Sequence, residues 1–459
     1  MGDGFLCKNL AAFKPQEELS VQLRNGMRNL LCLMGVLLLS TTLSGQDLYF
    51  PPITGDTWEN IDPTSMGWCS ERVDDLIRFV GEKNTKSLLI LKDGKIVIEQ
   101  YYDVHDQDAP WYWASAGKSL VGMLVGLAQE DGFIDINEPT RTYLGSGWTS
   151  TTTNQEAQIT IKSQLSMASG LDDGVEAVGS TQNCFEPACF QYLAPPYGRW
   201  AYHNSAYRIL QNVLETTTGQ NKFNYTRSRL GDRIGMKGFW LNYVYYSSAR
   251  DMARFGLLAL NRGIWATDTL LHDTTYFNAM INPSQSENPS YGYLWWLNGQ
   301  SAFQLPGIQL KINRMIIPEA PSDLFAALGK NDQKIYVVPS EGLVVIRQGE
   351  SAGGIALATS SFDSELWERL GNMSCTVSST SVDREIPFSI SPNPVGHQIH
   401  IQTEATIQGV RIYNMQGQLV YAADSGAESV IPVSGLLAGT YFVQVRTSAG
   451  VGIRKVVKV

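Results

Sequence analysis

The order in which helical and strand patterns follow one another constrains the fold of this chain more than any other feature of its sequence. Apolar residues at helical spacing follow Ser70, and two apolar runs joined by the turn Lys92-Asp93-Gly94 then predict a β-hairpin. Helical patterns dominate the middle of the chain, whereas strand patterns return over 324–346 and a last helical pattern ends near Leu370. Strands on both sides of a helical stretch predict an α+β domain, in which an antiparallel sheet with flanking helices is interrupted by an all-helical insert.

Charge and histidine content exclude several classes of function. The chain has 44 Asp and Glu against 35 Lys and Arg, and its net charge of -9 disfavours nucleic acid as a partner. Its five histidines stand in no array that binds zinc, so we expect no metal site and no cofactor.

A secretory signal peptide is predicted near the N-terminus. Met27–Gly45 has a basic start, an apolar run over 30–39 and a small, polar end. The apolar run is too short to span a bilayer, and a buried core helix is the alternative interpretation. We expect 1–45 to be an extension with its signal peptide. No Cys follows where a lipid anchor needs one, so the protein is expected to be exported through the periplasm and secreted or held at the cell surface.

Composition divides the rest of the chain into three parts. Residues 46–373 carry the α+β pattern, and 374–385 form a Ser/Thr-rich linker. Residues 386–459 contain about seven short alternating stretches, which predict a small all-β sandwich.

Four cysteines follow the predicted signal peptide, and four cysteines allow three pairings. Cys184 and Cys189 flank a short turn and predict a local disulfide, which leaves Cys69 to pair with Cys375. The fold favours that second pair, because antiparallel packing of the first and last helices brings the start of one near the end of the other. Disulfides agree with an exported protein.

Ser115-Ala116-Gly117-Lys118 is the strongest candidate for chemistry. It opens an apolar helix, which places both side chains on one face of the first turn. A serine hydroxyl needs a neighbouring base, and lysine can be that base only when burial and the helix dipole lower its pKa. The alternative is that Ser115 caps the helix and Lys118 is solvated.

Tyr202-His203-Asn204 supplies the second element. A tyrosine beside a lysine can pass the serine proton to the leaving atom, and an Asn amide can hold both a substrate carbonyl and the lysine. Tyr276-Phe277-Asn278 has the same spacing but lies in an ordinary helical or loop stretch, so the first motif is preferred. A Ser-His-Asp triad using His203 is a weaker alternative.

These elements, in this order, resemble the serine β-lactamase and penicillin-binding-protein superfamily, and in it the class C branch with its esterases and 6-aminohexanoate-dimer hydrolases. The resemblance covers roughly 50–373 and implies an acyl-enzyme on Ser115, Lys118 as base and Tyr202 as proton shuttle. It also implies an oxyanion hole formed by the Ser115 backbone N–H and a second N–H on a strand. Further segments carry it: Phe50-Pro51-Pro52, Gly132-Phe133-Ile134-Asp135, 165–171, Tyr291-Gly292-Tyr293-Leu294-Trp295-Trp296 and Tyr336-Val337-Val338-Pro339.

The third motif of that superfamily, Lys-Thr-Gly or His-x-Gly, departs from the pattern here. By position it should lie at Ala327-Leu328-Gly329, which Lys330 follows, and no Lys-Thr-Gly is present. An ester, a short amide or a D-amino-acid peptide is therefore expected as substrate rather than a β-lactam. Gly329 or Lys330 is the expected second oxyanion donor, Asn204 is expected to bind substrate, and Trp113 is expected to line the pocket with other large aromatics.

The C-terminal segment resembles a type IX secretion sorting domain, which implies passage through the type IX machinery. The match rests on Ser391-Pro392-Asn393-Pro394, on 436–442 and on the terminal Lys455–Val459. A generic carbohydrate-binding sandwich is the alternative. The whole sequence thus predicts a secreted serine hydrolase, with a β-lactamase or a catalytically silent surface binding protein of the same fold as alternatives.

Overall fold

A computed structural model describes residues 48–174, 184–353, 359–375, 386–415, 417–424, 429–447 and 450–459. The predicted signal peptide and nearly all of the predicted linker lie outside the described residues. The chain divides into two compact units, one formed by residues up to Ile61 with Val80–Glu365, the other by Asp62–Phe79 with Leu366–Val459. No helix in the described part of the chain has the length and apolarity that a membrane crossing requires.

The elements before the C-terminal strands follow the predicted order. The strands are β1 (Thr85–Lys92), β2 (Lys95–Tyr101), β3 (Trp111–Tyr112), β4 (Phe239–Leu241), β5 (Val244–Ser247), β6 (Ile264–Trp265), β7 (Asp268–Thr269), β8 (Trp296–Leu297), β9 (Phe325–Gly329), β10 (Gln333–Val338) and β11 (Leu343–Gly349). The helices are α1 (Ser70–Glu82), α2 (Gly117–Glu130), α3 (Arg141–Leu144), α4 (Thr153–Glu156), α5 (Ile161–Leu165), α6 (Asn204–Thr218), α7 (Lys222–Thr226), α8 (Asp232–Ile234), α9 (Ala249–Leu260), α10 (Thr274–Met280) and α11 (Ser361–Gly371).

The main sheet of the first unit is antiparallel, with strand order β2-β1-β11-β10-β9-β8. Every residue of β10 and β11 is buried, so these two central strands are covered on both faces. Helix α9 packs on them, and Gly256 allows a close approach, because a Cβ there would lie 2.5 Å from a methyl of Val344. The sheet and its helices confirm the predicted α+β class.

The insert between β2 and β9 corrects one expectation, because it is not all-helical. It contains a three-stranded sheet in the order β3-β5-β4, the pair β6-β7 and the edge strand β8. These strands have two to four residues each, too few to show the alternation by which a strand is recognised in a sequence. Helix α2, which follows β3, is buried from Gly117 to Ala128 and forms the centre of this region.

In the second unit, the start of α1 lies beside the end of α11. The backbone N–H of Cys69 donates to the carbonyl of Met373 at 2.9 Å, and the Arg369 guanidinium lies 3.7 Å from the ring centre of Phe79. The structure joins Cys69 to Cys375, with 4.8 Å between their Cα atoms. In the first unit it joins Cys184 to Cys189.

The C-terminal region is all-β. Its described strands are β12 (Ser389–Ser391), β13 (Gln398–Gln402), β14 (Ile407–Asn414), β15 (Leu419–Asp424), β16 (Val430–Pro432), β17 (Gly439–Thr447) and β18 (Gly450–Lys458). They form two sheets, in the orders β12-β13-β16 and β15-β14-β17-β18. Apolar side chains from both sheets share one core, including Ile399, Ile431, Val410 and Val445, which is the packing of a sandwich.

Candidate active site

Ser115 lies on a tight turn between β3 and α2. Trp113, next after β3, donates its backbone N–H to the carbonyl of Tyr245 at 2.8 Å and extends the pairing with β5. Ala114 then takes a left-handed conformation with φ of 48°, which costs a residue with a Cβ about 1 kcal/mol or more. This turn directs the chain into α2 and leaves the Ser115 side chain half-buried at its start.

Lys118 lies one turn into α2 and is buried, with 2% of its surface exposed. Its Nζ is 2.9 Å from Ser115 Oγ and 2.9 Å from Asn204 Oδ1. A neutral amine has one lone pair and two protons, so it can accept a proton from Ser115 while it donates to Asn204. The structure thus brings together three residues that the sequence singled out from two separate motifs.

The surroundings of Lys118 disfavour a positive charge. Burial, with a smaller contribution from Arg208, holds the pKa of its amine well below the usual range. The Nζ also lies 4.6 Å from the ring centre of Tyr202 and 4.2 Å from that of Tyr207. A lysine in this state has the lone pair that a general base needs.

Tyr202 interacts with both Lys118 and Ser115. Its ring stacks on Trp296 with centroids 6.0 Å apart, and its phenol oxygen is buried. Burial raises the pKa of the phenol, against an opposing interaction with Ser115. The phenol therefore keeps its proton at neutral pH and can donate it.

The start of α6 positions both residues of the Tyr202-x-Asn204 motif. Between them, the His203 imidazole Nδ1 accepts a hydrogen bond from the backbone N–H of Ala206 at 3.2 Å and caps the helix. His203 is buried against Phe190, and burial lowers the pKa of its imidazole to about 4. The structure thus gives His203 a capping role and places Lys118 against Ser115, which disfavours the Ser-His-Asp triad.

Gly329 brings the end of β9 against the Ser115 turn. A Cβ at this position would lie 2.5 Å from the carbonyl oxygen of Trp113 and 3.0 Å from the backbone nitrogen of Ala116, so only glycine fits. Lys330 follows with an exposed side chain. Asn331, at φ 60°, donates from its amide to the phenol oxygen of Tyr112 at 2.8 Å and ties the β9-β10 turn to β3.

Trp113 occupies a different place from the one expected. It is fully buried, donates from Nε1 to Ser247 Oγ at 2.8 Å, and packs edge-on against Tyr245 with ring centres 5.1 Å apart. It supports the Ser115 turn from inside the core and has no exposed surface for a substrate. The second Tyr-x-Asn motif is structural, since the phenol of Tyr276 donates to the carbonyl of Gly122 at 2.7 Å.

Two residues beside Lys118 were not anticipated from the sequence. Tyr207 and Arg208 lie one turn after Asn204 on α6, and their side chains interact with each other next to the lysine. Both stand within five residues of Asn204, so the helical repeat was the only signal that pointed to them.

Comparison with known protein families identifies the fold and the tail. A β-lactamase family model matches residues 76–346, more than half of the chain, and a secretion system C-terminal sorting domain model matches residues 389–459. The chain belongs to the β-lactamase family. Its tail is a sorting domain of the type IX secretion system, which makes it a secreted or cell-surface protein.

Other β-lactamase-like proteins share the fold at low identity. A Bacillus anthracis protein provisionally named 6-aminohexanoate-dimer hydrolase matches 71% of this chain and 90% of its own, at 18% identity and a TM-score of 0.53. A Bacteroides dorei protein provisionally named β-lactamase matches 66% and 99%, at 15% identity and a TM-score of 0.54. An uncharacterized protein of Alkalihalophilus pseudofirmus is 22% identical over 317 residues, which are 58% of this chain and 84% of that protein. The chain is thus a β-lactamase-fold member of a serine hydrolase family.

Proposed function

We propose that the protein is a serine acyl hydrolase that forms an acyl-enzyme on Ser115. The observation that carries this proposal is the position of the buried Lys118 amine, 2.9 Å from Ser115 Oγ and 2.9 Å from Asn204 Oδ1. This is the contact between nucleophile and base, with a third group orienting the base, that covalent catalysis requires.

The proposed reaction has two steps. Ser115 Oγ attacks the substrate carbonyl while Lys118 accepts its proton, and Tyr202 protonates the departing alcohol or amine. Tyr202 regains a proton from Lys118, which returns the amine to its neutral state. In the second step water attacks the acyl-enzyme, Tyr202 or Lys118 takes its proton, and the acid leaves as Ser115 recovers its hydrogen.

The oxyanion hole is proposed to consist of the Ser115 backbone N–H and one N–H at Gly329 or Lys330. Support comes from the close approach of Gly329 to the Ser115 turn. Two backbone donors aimed at one developing oxyanion are preorganised and need no rearrangement during the reaction.

The proposed substrate is an ester, a short amide or a D-amino-acid peptide. In β-lactamases the Lys-Thr-Gly strand helps bind the substrate carboxylate, and β9 carries Ala327-Leu328-Gly329 at that position. This difference disfavours β-lactam hydrolysis, which remains the second candidate, followed by a silent binding protein of the same fold.

We also propose an export route for the protein and a division of the chain into domains. Residues 1–45 would direct export into the periplasm, and the sorting domain at 386–459 would engage the type IX machinery. The hydrolase domain is proposed to span 46–373, with the linker at 374–385.

The test is hydrolysis of p-nitrophenyl acetate, p-nitrophenyl butyrate and nitrocefin by the full chain and by Ser115→Ala. The control is Ser286→Ala, which removes an exposed serine hydroxyl elsewhere in the same unit. We expect ester turnover and an acyl adduct in the intact mass of the wild type and of the control, and at least a thousandfold loss in Ser115→Ala. Nitrocefin turnover would favour a β-lactamase. If none of the three compounds is turned over and none leaves an acyl adduct, the proposal that the protein hydrolyses these substrates is rejected.

A further inference from the structure

A cavity of the first unit is lined by residues of the β8-β9 segment and by residues around the start of α11. Its volume is about 550 Å³, which lies in the range of pockets that hold small molecules. The β8-β9 segment contributes apolar side chains, which include Phe303, Ile312 and Ile316. The chain around the start of α11 contributes hydroxyl groups, which include those of Ser360 and Ser361. The cavity therefore offers both apolar and polar surface to one occupant.

Backbone pairing holds the apolar wall in place. The backbone N–H of Phe303 donates to the carbonyl of Ile312 at 3.0 Å, and the N–H of Ile312 donates to the carbonyl of Phe303 at 2.8 Å. Phe303 and Ile316 are buried, with 3% and 7% of their surface exposed. A wall fixed in this way loses little conformational freedom when a ligand binds, which favours affinity.

Arg314 supplies the one charge among the described residues that line this cavity. Its side chain is exposed, and its guanidinium lies 5.6 Å from the ring centre of Phe303. No carboxylate of a described residue forms an ion pair with it, and Asp363, at the start of α11, is already paired with Lys334 at 2.8 Å. The cavity thus combines apolar surface with a cation that is available to an anionic group.

The segments that line the cavity also contact the candidate active site. Gln309, in the β8-β9 segment, donates from Nε2 to the carbonyl of Trp200 at 3.1 Å, and the Trp200 ring centre lies 5.9 Å from that of Tyr202. Ser360 donates from Oγ to the carboxylate of Asp332 at 2.7 Å, in the turn that follows β9. The end of β9 lies against the turn that carries the nucleophile. The walls of the cavity therefore reach both the tyrosine motif and the expected oxyanion strand.

We propose that this cavity is a substrate subsite, in which the apolar wall holds a short aliphatic stem and Arg314 binds a carboxylate at the end of that stem. The inference rests on the proposed hydrolase function. A guanidinium presents paired N–H donors that match the two oxygens of a carboxylate. The strand β9 lacks the Lys-Thr-Gly that helps bind a substrate carboxylate in β-lactamases, and Arg314 supplies a cation from a different segment. The substrate class is thus an ester or amide with a carboxylate at the end of an aliphatic chain.

Two pairs of esters test the preference for a carboxylate in the full chain. Mono-p-nitrophenyl adipate and p-nitrophenyl hexanoate differ by a carboxylate on the acyl side, whereas 6-acetoxyhexanoate and hexyl acetate differ by one on the alcohol side. We expect the charged ester of one pair to have the higher kcat/KM. The pair that shows this preference identifies the side of the substrate that the cavity holds.

Substitution of Arg314 tests where the preference comes from. Arg314→Gln removes the positive charge and should lower kcat/KM for the preferred charged ester by roughly threefold to tenfold, through KM rather than kcat. The neutral ester of the same pair should be unaffected. Arg314→Lys keeps the charge and should keep most of the preference. Arg227→Gln, which removes an exposed arginine paired with Asp232, is the matched control.

Binding is measured separately from turnover in Ser115→Ala. Calorimetric titration with hexanoate and with 1-hexanol compares a charged and a neutral ligand of the same length. The affinity for hexanoate should fall roughly threefold to tenfold when Arg314→Gln is added, and further when Ser361→Trp fills the cavity. The affinity for 1-hexanol should not respond to Arg314→Gln. If hexanoate binds in this way while the wild type turns over no ester, the hydrolase fails and the anion site at Arg314 stands.

Three results would overturn the inference. One is equal use of the charged and neutral esters in both pairs, or a preference that Arg314→Gln leaves unchanged. Another is an equal loss of rate for charged and neutral esters in Arg314→Gln, which indicates a packing role against Phe303. The third is an unchanged affinity for hexanoate in Ser361→Trp, which would place the anion elsewhere. This third result decides the matter even if Arg314→Gln does not fold.

Discussion

The described part of the first unit contains two buried lysines in opposite surroundings. Lys118 is 2% exposed and contacts a hydroxyl, an amide and two aromatic rings. Lys334, on β10, is fully buried, with its Nζ 3.2 Å from Asp332 and 2.8 Å from Asp363. Burial alone therefore does not decide what a lysine does. The partners decide, because carboxylates stabilise the ammonium whereas neutral groups favour the amine.

The Lys334 site is a structural ion cluster. Burial acts to raise the pKa of Asp332, but Lys334 and hydrogen bonds from Ser360 and Ala352 outweigh it and hold this pKa below its usual value. The buried guanidinium of Arg347 donates to the carbonyl of Asp332 at 2.9 Å. The cluster ties β10 and β11 to the turn that follows Gly329, and so supports the strand end beside Ser115.

The largest expected effect comes from Lys334→Met. It removes the side chain that pairs with both buried carboxylates, and breaking a buried ion pair from one side costs about 3–5 kcal/mol. Urea unfolding should show a loss of this size. Lys95→Met, at an exposed pair with Glu59, should change the free energy of unfolding by about 0.5 kcal/mol or less. Equal losses in the two variants would contradict the distinction between the two sites.

Asn204→Asp would place a carboxylate beside Lys118, as carboxylates already stand beside Lys334. A carboxylate within hydrogen-bond distance of the amine raises the pKa of Lys118, so the base is protonated at neutral pH and the acidic limb of kcat/KM moves to higher pH. We expect a loss of about thirtyfold to a hundredfold at pH 7, with partial recovery above pH 9. Asn278→Asp makes the same change in the structural Tyr-x-Asn motif and should leave the profile unchanged. Full activity of Asn204→Asp at pH 7 would show that a neutral lysine is not needed.

The third expected effect is gradual, because it is a slope of stability with pH. The pKa of Lys118 is lowered in the folded protein, so between that pKa and the unfolded value near 10.5 the unfolded chain binds one more proton and stability rises with pH. Relative to Lys118→Met, the wild type should gain up to about 1.4 kcal/mol per pH unit over this window. Thermal and urea unfolding from pH 7 to 10 measure the slope. Parallel curves for the two proteins would mean that Lys118 is charged in the folded state.

Much of the fold could be predicted from the sequence, because a regular spacing of apolar residues over a long segment indicates a helix or a strand. The hairpin of β1 and β2 and the helices α6 and α9 have both the apolar period and the turn or cap residues that mark their ends. The strands β3, β6, β7 and β8 have two residues each and carry no period. Their pairing depends on the finished packing of the domain.

The candidate site was predictable where its chemistry is local. Ser115 and Lys118 are one helical turn apart, so their contact follows from the helix, and Tyr202 and Asn204 share one helix start. The burial of Trp113 could not be predicted from the sequence, because a tryptophan suits a substrate pocket and a hydrophobic core equally well. The partnership of Lys334 with Asp363 joins residues from β10 and α11 that only the folded chain brings together.

The bond between Cys69 and Cys375 also determines how the protein responds to force. The two residues are 306 positions apart in the sequence, and the whole segment between them contains Ser115, Lys118 and Asn204. A pull on the sorting domain reaches Cys375, crosses the sulfur bridge to Cys69 and continues along the N-terminal chain. The segment that contains Ser115 is thus a loop closed by the disulfide, so a force applied to the two ends of the chain crosses the sulfur bridge rather than the backbone of that segment.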